Sequence, residues 1–279
     1  MLLLKPKTEL AYCAYLTRKP LRHMKTPAAY NLLKVSSRAP HNVHKEEVER
    51  ELRRIRQDLV ELQERLYAEN RRSVLVVLQG MDASGKDGLI RRVFSGINPQ
   101  GVRVDAFKEP TDEELSHDFL WRIHRKTPGH GMIQVFNRSH YEDVLVTRVD
   151  NIIDDEEAQR RFEAINAFET LLQQAGTTIL KFYLHVSEKE QRERLDERIN
   201  DPSKQWKYDA SDQGKASQWP QYRAMYEDVF AHCNPPTCPW ILVPSDQNWY
   251  KAYVVASTLR HALLEMNPQY PKAKTERPK

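Results

Sequence analysis

The sequence predicts an α/β protein of three layers, with helices on both faces of a parallel five-stranded sheet. Short apolar segments alternate with helical patterns along most of the chain, and a glycine-framed loop joins the first such segment to a helix. Parallel strands connected by helices are buried on both faces, so they are nearly continuous apolar runs. A chain of 279 residues suffices for one such domain with appendages.

Composition narrows the classes of protein to which the chain can belong. Charged residues make up 29% of it, hydrophobic residues 40%, and no apolar stretch approaches the roughly 18 residues of a membrane span. Residues 1–4 are too short an apolar run for a signal peptide. The three cysteines favour free thiols in a reducing cytoplasm, with a disulfide between Cys233 and Cys238 as the alternative. We expect a cytoplasmic protein, and a net charge of +4 does not argue for nucleic acid.

The first long helix is predicted at residues 44–70, after an N-terminal arm (residues 1–44) that is basic and interrupted by prolines. Apolar residues of the helix alternate spacings of four and three, which is a heptad stripe: Val48, Leu52, Ile55, Leu59, Leu62 and Leu66. The stripe predicts packing against the sheet or another helix of the same chain. Pairing between subunits is the alternative, since fewer than four heptads are short for an autonomous coiled coil.

The remaining elements alternate in type. Apolar and β-branched runs predict strands at residues 74–78, 102–107, 132–136, 178–186 and 240–243. Helical periodicity predicts helices at residues 86–94, 113–126, 141–146, 155–174, 188–200, 218–231 and 249–265. Ligand chemistry in such a sheet belongs at the carboxyl ends of the strands.

The loop after the first strand carries the strongest functional signal. Gly80, Gly85 and Lys86 have the Gly-x4-Gly-Lys spacing of a phosphate-binding loop, in which backbone N–H groups and a helix N-terminus hold phosphate oxygens. We expect the following loop residues to contact phosphate: Ala83, Ser84, Gly85, Lys86 and Asp87.

Two carboxylates depart from the usual loop. Asp87 occupies the position of the Ser/Thr that holds Mg²⁺, and Asp82 lies inside the loop. A carboxylate in a cradle for anions requires a metal ion or a transferable proton between it and the phosphate. The loop therefore favours metal-assisted phosphoryl transfer over a fortuitous glycine-rich turn.

A second motif follows the strand at residues 132–136. In phosphate-loop enzymes this place commonly holds an aspartate that orders Mg²⁺, and here it is Asn137, with Arg138 suited to bidentate phosphate contacts. Glu142 and Asp143 follow about one helical turn later and could restore the missing charge. Asn137 can also serve as a helix N-cap, and the two roles are compatible. We interpret His140 as an exposed residue at a helix start.

A third motif is the charged helix within residues 188–207, where acids match the basic residues in number. Arg194 and Arg198 are four apart and share a helical face, and Lys204 and Lys207 follow the end of the helix. Two interpretations stay open for this segment: a lid that closes over phosphates, and a solvated helix with i,i+4 ion pairs.

The chain resembles the polyphosphate kinase 2 family over residues 46–267. The resemblance rests on residues 80–88, 94–101, 136–146 and 201–207, of which the first and last segments are specific in combination. It implies a thymidylate-kinase-like core with a lid, in an enzyme that phosphorylates nucleotides with inorganic polyphosphate. Many members have aspartate where this chain has Asn137, and the asparagine looks like the class III subgroup, which accepts both AMP and ADP.

The resemblance also implies an organisation and partners. We expect a phosphate-loop kinase domain at residues 45–267, a lid at about residues 188–216 and a disordered tail at residues 268–279. The expected substrates are inorganic polyphosphate, AMP and ADP, and the expected ion is Mg²⁺, with Mn²⁺ as an alternative. We expect a homo-oligomer, either dimer or tetramer, without a membrane or nucleic-acid partner.

The motifs and the resemblance together give each site residue a role. Phosphoryl transfer is assigned to Asp82, Lys86, Arg138 and Arg198. Polyphosphate is expected on the loop and on basic residues of the lid, namely Arg194, Arg198, Lys204 and Lys207. The nucleotide is expected at Asn137, Arg138 and Glu142, and the metal ion at Asp82 and Asn137.

Two other functions stay open. An ATP-dependent nucleoside monophosphate kinase of the thymidylate-kinase type would share the fold and the loop, but Asp82 and Asp87 argue against it. A polyanion- or RNA-binding module would suit the basic arm. The matched charges of residues 188–207 and the lack of an aromatic and basic RNA motif argue against that module.

Overall fold

The computed structural model describes residues 31–207 and 218–272. Its centre is a sheet of five strands: β1 (Ser73–Gln79), β2 (Val102–Ala106), β3 (Ile133–Asn137), β4 (Thr177–His185) and β5 (Trp240–Pro244). The strands are all parallel, in the order β2-β3-β1-β4-β5. The predicted parallel five-stranded sheet is confirmed, and each strand lies within one residue of its predicted bounds.

Helices cover both faces of this sheet. They are α1 (Lys45–Glu69), α2 (Lys86–Phe94), α3 (Asp112–Leu115), α4 (Trp121–His124), α5 (Val146–Val149), α6 (Asp155–Gln174), α7 (Glu188–Asn200), α8 (Trp219–His232) and α9 (Asn248–Met266). Short 3-10 helices occur at Leu32–Lys34, Pro99–Gly101, His140–Val144 and Gln205–Lys207. None of the helices in the described ranges is both long and apolar enough to cross a membrane.

The central strand β1 supplies both cores of the three-layer fold. Leu75 and Val77 join the cluster formed with α6 and α8, whereas Val74, Val76 and Leu78 join the cluster formed with α1, α2 and α9. Alternate side chains of a strand point to opposite faces, so an entirely apolar strand fits a sheet that is covered on both sides.

The heptad stripe of α1 packs within its own chain. All six of its apolar residues are buried, and most of them share a core cluster with α9 residues such as Leu259 and Leu263. Full burial of a leucine side chain stabilises a fold by roughly 1.5–3 kcal/mol. The intrachain interpretation is confirmed, because the stripe is already covered by the chain itself.

Two predicted helices are wrong in detail. The helix predicted at residues 113–126 is divided into α3 and α4, since Asp118 accepts a hydrogen bond from the Leu120 backbone at 3.0 Å and favours a turn there. The helix predicted at residues 141–146 is the 3-10 helix His140–Val144 followed by α5.

The described part of the predicted N-terminal arm contacts the domain. Ser37 Oγ donates a hydrogen bond to Asp246 Oδ2 at 2.8 Å, and the Ala39 backbone donates to Gln247 Oε1 at 2.7 Å. These contacts join the arm to the segment between β5 and α9. Residues 1–30 of the arm, 208–216 of the predicted lid and 273–279 of the tail lie outside the described residues, and the division into arm, domain, lid and tail stays a prediction.

Candidate active site

The phosphate loop connects β1 to α2 at the carboxyl end of the central strand. Gly80, Ala83 and Gly85 have positive φ angles of 150°, 59° and 90°. A left-handed conformation costs an L-residue roughly 1–2 kcal/mol, so glycine suits two of these positions. At Gly85 an added Cβ would also lie 2.4 Å from Lys251 Nζ, so a side chain there would displace the lysine ammonium group.

Side chains bind the carbonyl oxygens of the first half of this loop. Lys86 Nζ donates hydrogen bonds to the carbonyl oxygens of Gly80 at 2.8 Å and Met81 at 3.3 Å. Gln191 Nε2, from α7, donates to the Asp82 carbonyl at 2.9 Å. The loop is therefore attached to its own lysine on one side and to α7 on the other.

A partly buried arginine and a buried lysine bind the carbonyl oxygens of the second half. Arg194 Nη1 donates to the carbonyl oxygens of Ala83 and Ser84, both at 3.1 Å. Lys251 Nζ, from α9, donates to the same Ser84 oxygen at 2.7 Å. Every carbonyl oxygen from residue 80 to residue 84 thus accepts a hydrogen bond from a side chain.

The amide groups of the loop are left available to a ligand. Within the described parts of the chain, the N–H groups of Ala83, Gly85 and Lys86 have no hydrogen-bond acceptor. The buried Ser84 Oγ likewise has no partner among these residues. Successive N–H groups at a helix N-terminus form a concave site for anions, so this geometry fits a phosphoryl group.

The second motif contacts both unusual carboxylates of the loop. The register pairs Leu78 of β1 with Asn137 of β3, which brings the ends of the two strands together. Arg138 Nη2 donates a hydrogen bond to Asp82 Oδ1 at 2.6 Å, and Asn137 Nδ2 donates to Asp87 Oδ1 at 2.8 Å.

The expected capping role of Asn137 belongs to another residue. Ser139 is the N-cap of the 3-10 helix His140–Val144, and its hydroxyl oxygen accepts a hydrogen bond from the Tyr141 backbone at 3.2 Å. Asn137 binds Asp87 instead, so the N-cap alternative is wrong.

An open cleft lies beside these residues. Its walls include loop, motif and α8 residues: Met81, Asp82, Arg138, Glu142, Tyr222 and Tyr226. Tyr226 Oη donates to Gln79 Oε1 at 3.3 Å, which fixes this part of the aromatic wall to the end of β1. A cleft with aromatic faces next to a phosphate loop fits a nucleotide.

The charges of this cleft are strongly coupled. Burial, together with the nearby Arg138, lowers the pKa of Lys86 to about 8, although Asp82 and Glu142 oppose the shift. Burial also disfavours the charged form of Arg138, but Glu142 and Asp82 prevail and raise its pKa. Burial has removed water from Lys86, so its ammonium group is suited to bind an anion. Arg138 is already paired with Asp82.

The basic residues predicted for the lid are not all directed at the loop amides. Arg194 binds the carbonyl side of the loop, and its guanidinium also donates to Glu190 Oε1 and to the backbone oxygens of Ser245 and Asp246. Arg194 thus supports the loop from behind, and its assignment to polyphosphate stays a prediction. Arg198 lies one turn further along α7 and is half-buried.

The two predicted lysines lie further along the same segment. Lys204 forms ion pairs with Glu197 and Asp201. Lys207 ends the 3-10 helix Gln205–Lys207. Their assignment to polyphosphate stays a prediction.

A buried polar network surrounds Glu169, and it includes His140, which was predicted to be exposed. His140 is fully buried rather than exposed, and its Nε2 lies 3.4 Å from Glu169 Oε1. Lys181 Nζ donates to Glu169 Oε2 at 2.6 Å and to the Cys233 carbonyl at 3.0 Å. Lys181 is a lysine within the apolar strand β4, and this exception to the strand pattern could have indicated a buried ion pair.

Cys233 and Cys238 are free thiols, so the disulfide alternative is wrong.

Four further residues of the site were not predicted from the sequence: Gln191, Tyr222, Tyr226 and Lys251. The spacing of four between the two tyrosines on α8 could have indicated a shared aromatic face. No sequence pattern indicated Gln191 or Lys251, because each acts through a contact with the loop, which lies more than a hundred residues away in sequence.

The fold and the site together define a phosphate-loop enzyme of the nucleotide-kinase type. The family model for Polyphosphate kinase 2 (PPK2) matches residues 42–271. The chain belongs to the Polyphosphate kinase 2 family, and the resemblance inferred from its motifs is confirmed.

Relatives with curated names support this assignment. AMP/ADP-polyphosphate phosphotransferase of Meiothermus ruber is 48% identical over 217 residues, covering 78% of this chain and 81% of the relative. ADP-polyphosphate phosphotransferase of Rhodopseudomonas palustris is 41% identical over 233 residues, covering 79% of this chain and 81% of the relative. The crystal structure of Polyphosphate Kinase 2 from Arthrobacter aurescens TC1 matches with a TM-score of 0.86 and 39% identity, over 92% of this chain and 93% of that one.

The family's chemistry suggests a divalent metal ion. The described residues contain no group of three or more His, Cys, Asp or Glu side chains that could hold one. Mg²⁺ is usually bound through one or two carboxylates together with substrate phosphates. Asp82, Asp87 and the amide oxygen of Asn137 fit that limited donor set.

Proposed function

We propose that this enzyme transfers a phosphoryl group from inorganic polyphosphate to AMP and ADP, forming ADP and ATP. The observation that carries the proposal is the hydrogen bond between Arg138 and Asp82 at the mouth of the phosphate loop. Beside this pair, Asp87 and Asn137 replace the loop hydroxyl and the strand aspartate of the usual motif. The similarity to the AMP/ADP-polyphosphate phosphotransferase of Meiothermus ruber supports the two acceptors.

The loop would hold the transferred group. In-line phosphoryl transfer depends on positioning and charge neutralisation more than on covalent help. Lys86 leaves the carbonyl oxygens of Gly80 and Met81 and turns to the phosphate, while the amide groups surround its oxygens. Arg138 and Arg198 offset the remaining negative charge.

The nucleotide would occupy the neighbouring cleft. Tyr222 and Tyr226 offer aromatic surface, and Glu142 and Asn137 offer polar contacts close to the acceptor phosphate. Asp82 belongs to the loop and lines this cleft, where its carboxylate can accept a proton or bind a metal ion. When bound, Mg²⁺ (or Mn²⁺) would neutralise charge on donor and acceptor phosphates, with Asp82 and Asn137 as oxygen ligands.

A donor-exchange assay tests the proposal. The protein is incubated with AMP and Mg²⁺, with polyphosphate or ATP as the sole phosphoryl donor, and the nucleotides are separated by chromatography. We expect ADP and then ATP with polyphosphate alone. Turnover with ATP only would identify a nucleoside monophosphate kinase. Salt-dependent RNA binding without any turnover would identify the binding module.

We also propose a homo-oligomeric enzyme of the cytoplasm. The stripe of α1 is buried within the chain, so it gives this assembly no support. Light scattering after size-exclusion chromatography would distinguish a monomer from a dimer or a tetramer.

A further inference from the structure

Lys251 is a buried cation that the phosphate loop covers. Its side chain is 1% exposed, and it forms no ion pair with any carboxylate of residues 31–207 and 218–272. Its ammonium group donates to the carbonyl oxygen of Ser84 at 2.7 Å. Burial of a charge without a charged partner is unfavourable, so the fold alone does not explain this lysine.

The surroundings of Lys251 carry more positive than negative charge. Burial, followed by the nearby Arg194 and Lys86, lowers the pKa of Lys251 to about 7, and Glu190 opposes the shift. Glu190 is already bound to Arg194 Nε at 2.9 Å. Lys251 therefore shares the negative charge of Glu190 with Arg194. An anion on the other side of the loop would neutralise the remaining positive charge.

The lysine lies directly behind the loop amides. A Cβ added to Gly85 would lie 2.4 Å from Lys251 Nζ and 3.5 Å from Arg194 Nη1. Gly85 has one of the N–H groups that lack an acceptor within the described residues. The two cations therefore adjoin the loop on its carbonyl side, opposite the place where a phosphate would bind.

We propose that Lys251 is a positioning residue for phosphate binding. Together with Arg194 it turns the Ser84 carbonyl away from the phosphate and places positive charge behind the loop amides. The proposal rests on the proposed function, because the ligand of the loop is the transferred phosphate. It adds a residue from α9, far from the loop in sequence, to those that determine phosphate affinity.

Substitution at Lys251 separates this role from a structural one. Lys251→Met keeps the length of the side chain but removes its charge and its hydrogen bond. We expect the affinity for inorganic tripolyphosphate, measured by titration calorimetry, to fall at least tenfold. The melting temperature should stay the same or rise, because an unfavourable buried charge is lost. Lys251→Arg, which keeps the charge, should recover at least half of the lost affinity on a logarithmic scale.

A residue on the same helix supplies the control. Thr258 lies two turns from Lys251, is buried and donates only to the Val254 carbonyl of its own helix at 2.8 Å. Thr258→Val should leave the tripolyphosphate affinity unchanged. The proposal is overturned if Lys251→Met binds tripolyphosphate like the parent protein. It is also overturned if Lys251→Met lowers both melting temperature and affinity and Lys251→Arg restores neither.

The same titration with ATP separates this proposal from the proposed function. A parent protein that binds ATP but not tripolyphosphate contradicts the polyphosphate assignment alone, and the variants are then compared with ATP. A parent protein that binds both, with Lys251→Met equal to it, contradicts only the role of Lys251. Binding of neither ligand overturns both.

Discussion

Arg138 Nη2 donates a hydrogen bond to Asp82 Oδ1 at 2.6 Å, and so joins the residue after β3 to the carboxylate inside the phosphate loop. Asn137, its neighbour, makes the equivalent bond to Asp87 at 2.8 Å. Two consecutive residues thus bind both carboxylates that depart from the usual loop sequence. The two motifs are therefore joined by hydrogen bonds at the end of the sheet.

Asp82→Asn should lower kcat at least a hundredfold, a loss of about 2.7 kcal/mol. The substitution removes a charge that is needed when metal ion and phosphates align, whereas the amide can still accept the hydrogen bond from Arg138. Affinity for AMP should change less than about threefold, since ground-state contacts persist. Steady-state kinetics and calorimetry measure the two effects.

The matched control is Glu163→Gln, an exposed carboxylate on α6. It should behave like the parent protein. If Asp82→Asn keeps its turnover and only its melting temperature falls, Asp82 has a structural role and the assignment is wrong.

The pH dependence should reveal the charge of Lys86. The pKa of this buried lysine is lowered to about 8 in the free protein, so its ammonium group loses its proton as the pH rises through that value. The neutral amine attracts phosphate less, and kcat/KM for polyphosphate should fall above about pH 8. Since Lys251 titrates nearby, the profile should be repeated with Lys251→Met, which should keep the limb near pH 8. The range from pH 7 to 9 extends about one unit to either side of the pKa of Lys86. A value of kcat/KM that stays constant over this range would contradict the role of the Lys86 charge.

Lys181→Met should destabilise the fold by about 3–5 kcal/mol, because it leaves the buried Glu169 carboxylate without its cation. Urea denaturation measures the free energy of unfolding. The double variant with Glu169→Gln should recover part of the loss, since it removes the unpaired charge. A double variant whose loss equals the sum of the losses in Lys181→Met and Glu169→Gln would show that the two residues are not coupled.

Arg198→Ala should reduce kcat at least about tenfold, since a charge-assisted hydrogen bond contributes roughly 1.5–3 kcal/mol where it is desolvated. The melting temperature should change little, in contrast to Arg194→Ala, which removes bonds to four backbone carbonyl oxygens. Gln205→Ala is the uncharged control on the same segment. Identical kinetics of Arg198→Ala and this control would favour a solvated helix over a lid.

The sequence predicted the sheet and the loop because both depend on local signals. Buried parallel strands are apolar runs, as in β1, and Gly80, Gly85 and Lys86 have a fixed spacing. The intrachain packing of α1 also followed from its stripe. Helix 113–126 was wrong because side chains such as Asp118 compete locally for backbone hydrogen bonds, and periodicity does not register that competition.

The rest of the site depends on contacts between distant segments. Lys251 meets Ser84 across 167 residues, and Asn137 meets Asp87 across 50. No spacing rule relates such residues, because only the order of the strands brings them together. The contacts of Arg194 with the carbonyl oxygens of Ala83 and Ser84 likewise join segments more than a hundred residues apart.

The most direct test of the account is polyphosphate-driven formation of ADP from AMP by the parent protein and by Lys86→Ala. The lysine is buried with a lowered pKa and donates only to the loop carbonyl oxygens of Gly80 and Met81, so its loss should leave the fold intact. We predict rapid ADP formation by the parent protein and none by the variant, at equal melting temperatures. A folded Lys86→Ala variant that keeps as much as about a tenth of the parent rate, a loss of only about 1.4 kcal/mol, would contradict the assignment of the loop as the transfer site.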